Sequence, residues 1–452
     1  MHGVFLKWSD HFSGNLGLRK PFLLPLAATA LGLLALQPAT AETLRIDPHS
    51  LKRIAHVDPR YQSYNIEMAA VAGVPFWKPY SSSGGKGRSG RDKNPFAKRP
   101  PFDLHDRRLR VLAAALGPAY LRVSGSWANS VFFQNGNGSE LGKPPAGYRG
   151  VLTRNEWRGV VDFARAVNAR LVTSFSISQG VRGSSGDWTP VEARPLVTYT
   201  RSIGGQLYAA ELFNEPNVPA FGAGPPGYDA ARFAADEAAF STFVATYAAG
   251  LKIVGPGSLV TGAGPVKLPI PVLATRDLLA ANPAPQFDIY SYHFYGAVSP
   301  RCAPARSPLR ITATQALSDA WLARTEEAFE TQRRLRDRFA PHAPIWLTET
   351  ADAACGGDPW ADTFLDSFRY LDQLARLARD GVGAVFHNTL VGSDYGLLVE
   401  QSFVPRPNYW AALLWRKLMG TVVLNAPGLW KWVFTCMRNV SGEPQVASRC
   451  WC

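Results

Sequence analysis

Short runs of β-branched and aromatic residues alternate with longer amphipathic stretches from Tyr61 onward, a rhythm that predicts βα units around a parallel sheet. Strands are expected near Gln62–Met68, Ala119–Val123, Arg170–Ile177, Leu207–Phe213, Ser258–Gly262, Phe287–Tyr292, Ile345–Thr348 and Gly383–Asn388. Helical patterns lie between them, near Phe102–Ala115, Arg154–Asn168, Ala230–Val254, Thr275–Ala281, Thr314–Phe339 and Thr363–Asp380. In the last of these, Leu365, Phe368, Leu371, Leu374 and Leu377 recur at about helical spacing and predict one buried face. Eight strands with intervening helices predict an α/β fold, a (β/α)8 TIM barrel, whose functional side chains sit on the loops after the strand C-termini.

Four regions fall outside that rhythm. Ser81–Pro101 is rich in Ser, Gly, Lys, Arg and Pro, a composition that cannot bury enough apolar surface to order itself, so a mobile loop is expected after the first strand. Residues 42–60 and 420–452 read as strand-like pieces of a β-rich module flanking a barrel at 61–419. Residues 1–41 have the layout of a secretory signal: Lys7, Arg19 and Lys20 precede an apolar run, Pro21–Leu36, that ends in Ala39-Thr40-Ala41. The run is short for a membrane span and is broken by Pro25, so the expectation is export to a periplasmic or extracellular space with no stable membrane insertion after cleavage.

Composition then narrows the partners. With 46% hydrophobic and 18% charged residues the chain is not of the disordered class. Its formal net charge is +13, and the first 41 residues carry three Lys/Arg and one Asp, so a mature chain would hold +11. Basic charge in an exported protein points away from nucleic acid, as does the lack of a helix combining basic residues with the spacing of a groove reader, so no nucleic acid is expected and the anionic partner is an acidic polysaccharide or a cell surface. The five cysteines, Cys302, Cys355, Cys436, Cys450 and Cys452, form no C-x-x-C pair and have no accompanying His cluster, so neither a metal site nor a cofactor is expected. An odd number leaves at least one unpaired. Cys302 follows the sixth strand and Cys355 the seventh, which makes their loops neighbours and predicts a disulfide between them.

Two carboxylates carry the chemistry. Glu211-Leu212-Phe213-Asn214-Glu215-Pro216-Asn217 closes the fourth strand, and an Asn-Glu pair there suits glycoside cleavage, the Glu protonating the glycosidic oxygen and the Asn bonding a sugar hydroxyl. Ile345-Trp346-Leu347-Thr348-Glu349-Thr350 delivers a single Glu to the lip of the seventh strand, where apolar walls hold a nucleophile still. Taken singly, each Glu is also compatible with an ordinary loop or strand-end residue; the pair points to catalysis. Their separation decides the stereochemistry, about 5–5.5 Å for retention and about 6.5–9.5 Å for inversion.

The surrounding residues resemble glycoside hydrolase family 79, the heparanases and related β-glucuronidases. The resemblance is carried by Tyr120-Leu121-Arg122-Val123-Ser124-Gly125-Ser126, by Glu211 to Asn217, by Thr348-Glu349-Thr350 with Gly356-Gly357, and by Phe403 to Trp410 running on to Thr421. It implies Glu215 as acid/base, Glu349 as nucleophile and Asn214 as the ligand of the sugar 2-hydroxyl. It implies that the Gly356 and Gly357 amides and the Tyr395 hydroxyl hold a uronate carboxylate, which glycine permits by letting backbone N–H groups approach an anion closely. Glu67, Ser126, His293, Tyr295 and Asn388 fall where relatives line the sugar site, Glu67 standing where heparanase-like members often have Asp. Lys86, Arg88, Arg91, Lys93, Lys98 and Arg99 of the basic loop are candidates for sulfate groups.

Two departures from the family are visible. The short Gly/Pro stretch Gln134–Gly150 stands where mammalian heparanase has an excised insert, so a single-chain enzyme is expected. After Leu424 too few residues remain for the β-sandwich of relatives, so an incomplete C-terminal sandwich and exposed apolar barrel surface are expected. The reading that results is a secreted retaining endo-β-glucuronidase acting on heparan sulfate or a similar acidic glycan. An exo-β-glucuronidase and a catalytically silent glycan-binding protein are its alternatives.

Overall fold

The computed structural model describes residues 47–80, 94–136, 138–261, 271–425, 436–438 and 448–450. Eight parallel strands form a closed barrel: β1 Gln62–Glu67, β2 Ala119–Ser124, β3 Ala169–Ser174, β4 Leu207–Glu211, β5 Lys252–Thr261, β6 Ile289–Tyr295, β7 Ile345–Ala351 and β8 Ala384–His387. Closure comes from β8 pairing with β1, with Val385 opposite Gln62 and His387 opposite Tyr64. The expected fold is thus the observed one. Between strands stand α1 Arg107–Ala115, α2 Arg154–Ala166, α3 Ala193–Ser202, α4 Ala230–Tyr247, α5 Thr275–Ala280, α6 Arg324–Phe339 and α7 Phe364–Arg379, and α8 Pro407–Leu418 follows β8.

The lower barrel is plugged and the upper barrel is polar. Tyr120, Val172, Ala209, Val254, Ile289, Trp346, Ala384 and Phe386 meet inside it, at least one from each of β2 to β8. Large and small side chains interlock there: Trp346 packs on Tyr120 at 4.6 Å and Phe386 at 5.5 Å, beside Ala209 and Ala384. A larger apolar cluster fills the space between strands and helices, as in Leu121, Trp157, Val160 and Phe163. With both layers dry, charged side chains at the C-terminal strand ends are held in a rigid rim.

Local chemistry sets the helix ends. Asp106 caps α1 by accepting from Leu109 N, so this helix starts five residues later than the apolar pattern suggested. Thr153 and Glu156 form a capping box on α2. The helix expected to Val254 stops at Tyr247, before Gly250 turns with φ +88°, and Lys252 already belongs to β5. Ser318 is extended (ψ 144°) and breaks the pattern at Thr314–Phe339 into a 3-10 turn, a single helical turn and α6. The buried face of α7 also differs from expectation. Phe368 is 51% exposed, whereas Asp366, Arg369, Tyr370, Gln373, Leu374 and Leu377 face inward, because the Arg369–Asp366 ion pair lets a charged stripe be buried.

Part of Ser81–Pro101 is built into the structure: Phe96–Ala97 pairs antiparallel with Phe76–Trp77, and Phe96 packs on Trp77 at 4.5 Å. Residues 81–93, and with them Lys86, Arg88, Arg91 and Lys93, lie outside the described residues, as does the segment 1–41. A four-stranded antiparallel sheet joins Arg53–His56, Val422–Leu424, Cys436–Arg438 and Ser448–Cys450 in that order. Among the described residues no helix is long and apolar enough to cross a membrane. Cys302 and Cys355 form a disulfide, with their Cα atoms 6.3 Å apart.

Candidate active site

The C-terminal strand ends bring Glu67, Asn214, Glu215, His293, Tyr295, Glu349 and Asn388 into one buried constellation. Glu215 leaves β4 in the left-handed region, φ +53°, a conformation that costs a non-glycine residue energy and is kept where surroundings over-determine it. One carboxylate oxygen of Glu215, one of Glu349 and a ring nitrogen of His293 all lie within 4.8 Å of one another.

Arg122, in the middle of β2, organises this cluster. Its Nε and Nη2 donate to both oxygens of Glu211 at 3.0 and 2.9 Å, Nη1 donates to Glu349 Oε2 at 3.0 Å, and Nη2 also donates to Asn214 Oδ1 at 2.7 Å. Tyr295 donates its hydroxyl to Glu349 Oε1 at 2.7 Å, so each oxygen of that carboxylate has a donor. A carboxylate so held is fixed in orientation and ready as a nucleophile.

His293 links the two carboxylates. Its Nε2 lies 3.3 Å from Arg122 Nη2, and a guanidinium offers no acceptor to an Nε2–H there, which places the ring proton on Nδ1. Nδ1–H then donates to Glu215 Oε1 at 3.1 Å and lies 3.7 Å from Glu349 Oε2. Burial pushes the His293 pKa down to about 4, so these contacts are hydrogen bonds of a neutral ring and not ion pairs at neutral pH. Burial, with the charge of Glu211 adding to it and that of Arg122 opposing it, raises Glu215 to about 7, the protonation state a general acid needs. Burial and then the charge of Glu349 raise Glu67 to about 8, which favours the neutral carboxyl, a donor as well as an acceptor.

Neighbouring groups complete the mouth of the site. Asn388 Nδ2, with two hydrogens to give, lies within hydrogen-bond reach of Glu67 Oε1, Tyr295 Oη and Tyr395 Oη at 3.0, 3.1 and 3.3 Å. Asn214 Nδ2 donates to Ser126 Oγ at 3.3 Å, and Asn129 grips the Asn214 backbone through both its amide and carbonyl. Gly356 and Gly357, with φ +78° and +86°, lie beside Trp77 and Tyr395, where an added Cβ would come within 2.6 Å of Trp77 Cβ and 3.1 Å of Tyr395 N. Among the described residues neither glycine N–H has an acceptor.

Of the sulfate candidates, Lys98 is exposed, but Arg99 is committed to the protein, paired with Glu400 at 2.9 Å and bonded to the Trp77 carbonyl. Glu215, His293 and Glu349 are spaced as metal ligands could be. Arg122, however, places a permanent positive charge 3.0 Å from Glu349 and 3.3 Å from His293, which opposes a second cation there. Arg122 and Glu211 were not among the sequence-derived site residues. The signal was present: a charged residue inside an apolar strand needs an opposite charge, and Arg122 stands in Tyr-Leu-Arg-Val.

A sequence profile described as glycosyl hydrolase family 79, N-terminal domain, matches residues 100–375. The chain belongs to glycoside hydrolase family 79. It is 26% identical over 339 residues to heparanase-like protein 1 of Arabidopsis thaliana, a match covering 72% of this chain and 59% of that protein. Heparanase of Bos taurus is 39% identical over 94 residues, 21% of this chain and 17% of the relative. Baicalin-beta-D-glucuronidase of Scutellaria baicalensis is 35% identical over 101 residues, 22% and 19%. The chain thus spans well under two thirds of these family 79 relatives. Among solved structures, a 4-O-alpha-L-rhamnosyl-beta-D-glucuronidase from Fusarium oxysporum superposes with a TM-score of 0.54 at 15% identity, covering 85% of this chain and 75% of the other. A family 51 arabinofuranosidase from Xanthomonas axonopodis gives 0.53 at 14%, covering 83% and 76%. At such identities the likeness speaks for the shared barrel alone.

Proposed function

We propose that this family 79 chain is an exported retaining glycoside hydrolase that cleaves β-glucuronosyl linkages in heparan sulfate or a related acidic glycan, acting within the chain. The carrying observation is the opposition of a carboxyl raised to about pKa 7, Glu215, to a doubly bonded carboxylate, Glu349, with oxygens of the two within 4.8 Å. That closeness favours retention, since inversion needs room for a water between the groups.

In the first step Glu349 attacks the anomeric carbon while Glu215 gives its proton to the leaving oxygen, forming a glycosyl ester on Glu349 and a free hydroxyl on the departing fragment. In the second, Glu215 takes a proton from water, the resulting oxygen attacks the anomeric carbon, and Glu349 is released. His293, neutral and donating to Glu215, steadies the carboxylate formed after the first transfer. The two glycine amides and Tyr395 suit a uronate carboxylate, and the basic balance of the chain suits an acidic polymer. Export rests on the signal-like layout of residues 1–41.

Product analysis tests the proposal: heparan sulfate and p-nitrophenyl β-glucuronide are treated with wild type, Glu215→Gln and Glu349→Gln. Oligosaccharide release by wild type supports endo action, free glucuronate alone supports the exo alternative, and activity persisting in Glu349→Gln refutes the mechanism.

A further inference from the structure

The turn at Cys355–Gly357 has its carbonyls tied back and, among the described residues, its glycine amides without an acceptor. Three successive residues are left-handed, with φ +62°, +78° and +86°. Cys355 O accepts from Ser299 Oγ at 2.9 Å and Arg301 Nη1 at 3.1 Å, Gly356 O accepts from Ser393 Oγ at 2.9 Å and Asp394 N at 3.2 Å, and Gly357 O accepts from Arg301 Nη1 at 2.8 Å. Cys355 is no glycine, so its backbone conformation is held against its own preference by these contacts and by the disulfide to Cys302.

One guanidinium joins this turn to two other loops. Besides the two carbonyls of the turn, Arg301 donates through Nη2 to the Lys78 carbonyl at 2.6 Å and to Asp394 Oδ2, and it lies 3.8 Å over the Tyr80 ring. Loops following β1, β6, β7 and β8 therefore meet at one side chain, itself only 6% exposed. All four contacts from its terminal nitrogens go to protein oxygens, so Arg301 is occupied with the loops and not aimed at a ligand.

We propose that Arg301 is the positioning residue for recognition of the substrate carboxylate: it shapes the Gly356–Gly357 turn, and through Asp394 the neighbouring Tyr395, so that the family 79 enzyme prefers a uronide to the neutral glycoside. This inference rests on the glucuronide reading above. Its distinctive demand is for a planar fork. A lysine keeps the charge but cannot bridge Cys355 O, Gly357 O, Lys78 O and Asp394 at once.

The test compares wild type, Arg301→Lys and Ser393→Ala, the last removing a brace from the Gly356 carbonyl, on p-nitrophenyl β-glucuronide and p-nitrophenyl β-glucoside. KM for the glucuronide is expected to rise about tenfold or more in both variants while kcat stays within about threefold, because uniform binding and not transition-state stabilisation is lost. The inhibition constant of free glucuronate should rise in parallel, and the glucoside KM should stay within about twofold. Full rescue by lysine, an equal rise for both substrates, or an unchanged glucuronide KM overturns the proposal. A wild type that prefers the glucoside instead refutes the glucuronide reading and takes this inference with it. A wild type that prefers the glucuronide, with variants keeping that preference, refutes the inference alone.

Discussion

Replacing Arg122 by Met removes the positive centre around which the site is built. The side chain is 1% exposed, as is that of Glu211, and it makes two donations to Glu211, one to Glu349 and one to Asn214. Its loss leaves two buried carboxylates without their counter-charge, a change that costs about 3–5 kcal/mol when a buried pair is broken. At ~2.1 cal/mol/K per residue, 452 residues have an unfolding entropy near ~0.9 kcal/mol/K, so Tm should fall by about 3–5 °C. The catalytic effect is separate. One charge-assisted hydrogen bond to Glu349, worth about 1.5–3 kcal/mol, corresponds to a fall of roughly 10- to 150-fold in kcat if it serves to orient the nucleophile. Calorimetry and kcat on an aryl glucuronide read both effects. A folded Arg122→Met enzyme with wild-type Tm and wild-type kcat would refute the reasoning.

Other consequences can be read independently. Because Glu215 must be protonated to act as acid and burial raises it to about 7, activity should fall as pH rises through about 7, and Glu215→Gln should abolish that limb for substrates with good leaving groups. Glu67, raised from 4.5 to about 8, binds a proton in the folded state that the unfolded chain has lost. Its contribution is fully present below pH 4.5 and disappears as pH rises through about 8, so Glu67→Gln should flatten the decline of Tm across that window; an unchanged slope counts against a neutral Glu67. The disulfide closes a loop with a sequence separation of 53, for which chain entropy predicts a loss of about 4 kcal/mol in Cys302→Ser/Cys355→Ser, measured by denaturant unfolding. An unshifted midpoint would show the bridge to be dispensable.

The barrel was legible because each strand is a short apolar run and each helix a longer amphipathic one, and burial of both strand faces enforces that pattern. Glu215 and Glu349 were legible because a carboxylate at the end of an apolar strand has few structural reasons to be there. Arg122 was not singled out, since its partner Glu211 is 89 positions away and pairing across a barrel leaves no local spacing. The helix Ala193–Ser202 was hidden by Pro195 and by β-branched Val197, Thr198 and Thr200, although proline in a first turn removes no intrahelical bond. The face of α7 was misassigned because its leucines suggested a purely apolar stripe, whereas Asp366, Arg369 and Gln373 are buried among them. Arg99 looked like a free surface cation, and its salt bridge to Glu400 joins segments 301 residues apart, beyond the reach of any local pattern.

The central claim is that Glu349 forms a covalent intermediate with a glucuronyl group while Glu215 manages the proton. The most direct measurement is trapping with a 2-deoxy-2-fluoro-glucuronyl fluoride, followed by intact mass and peptide mapping. The account predicts one added fluoroglucuronyl group, carried by the peptide containing Glu349 and absent in Glu349→Gln. A label on another residue, or turnover of aryl glucuronide with inversion and no label at all, would contradict it.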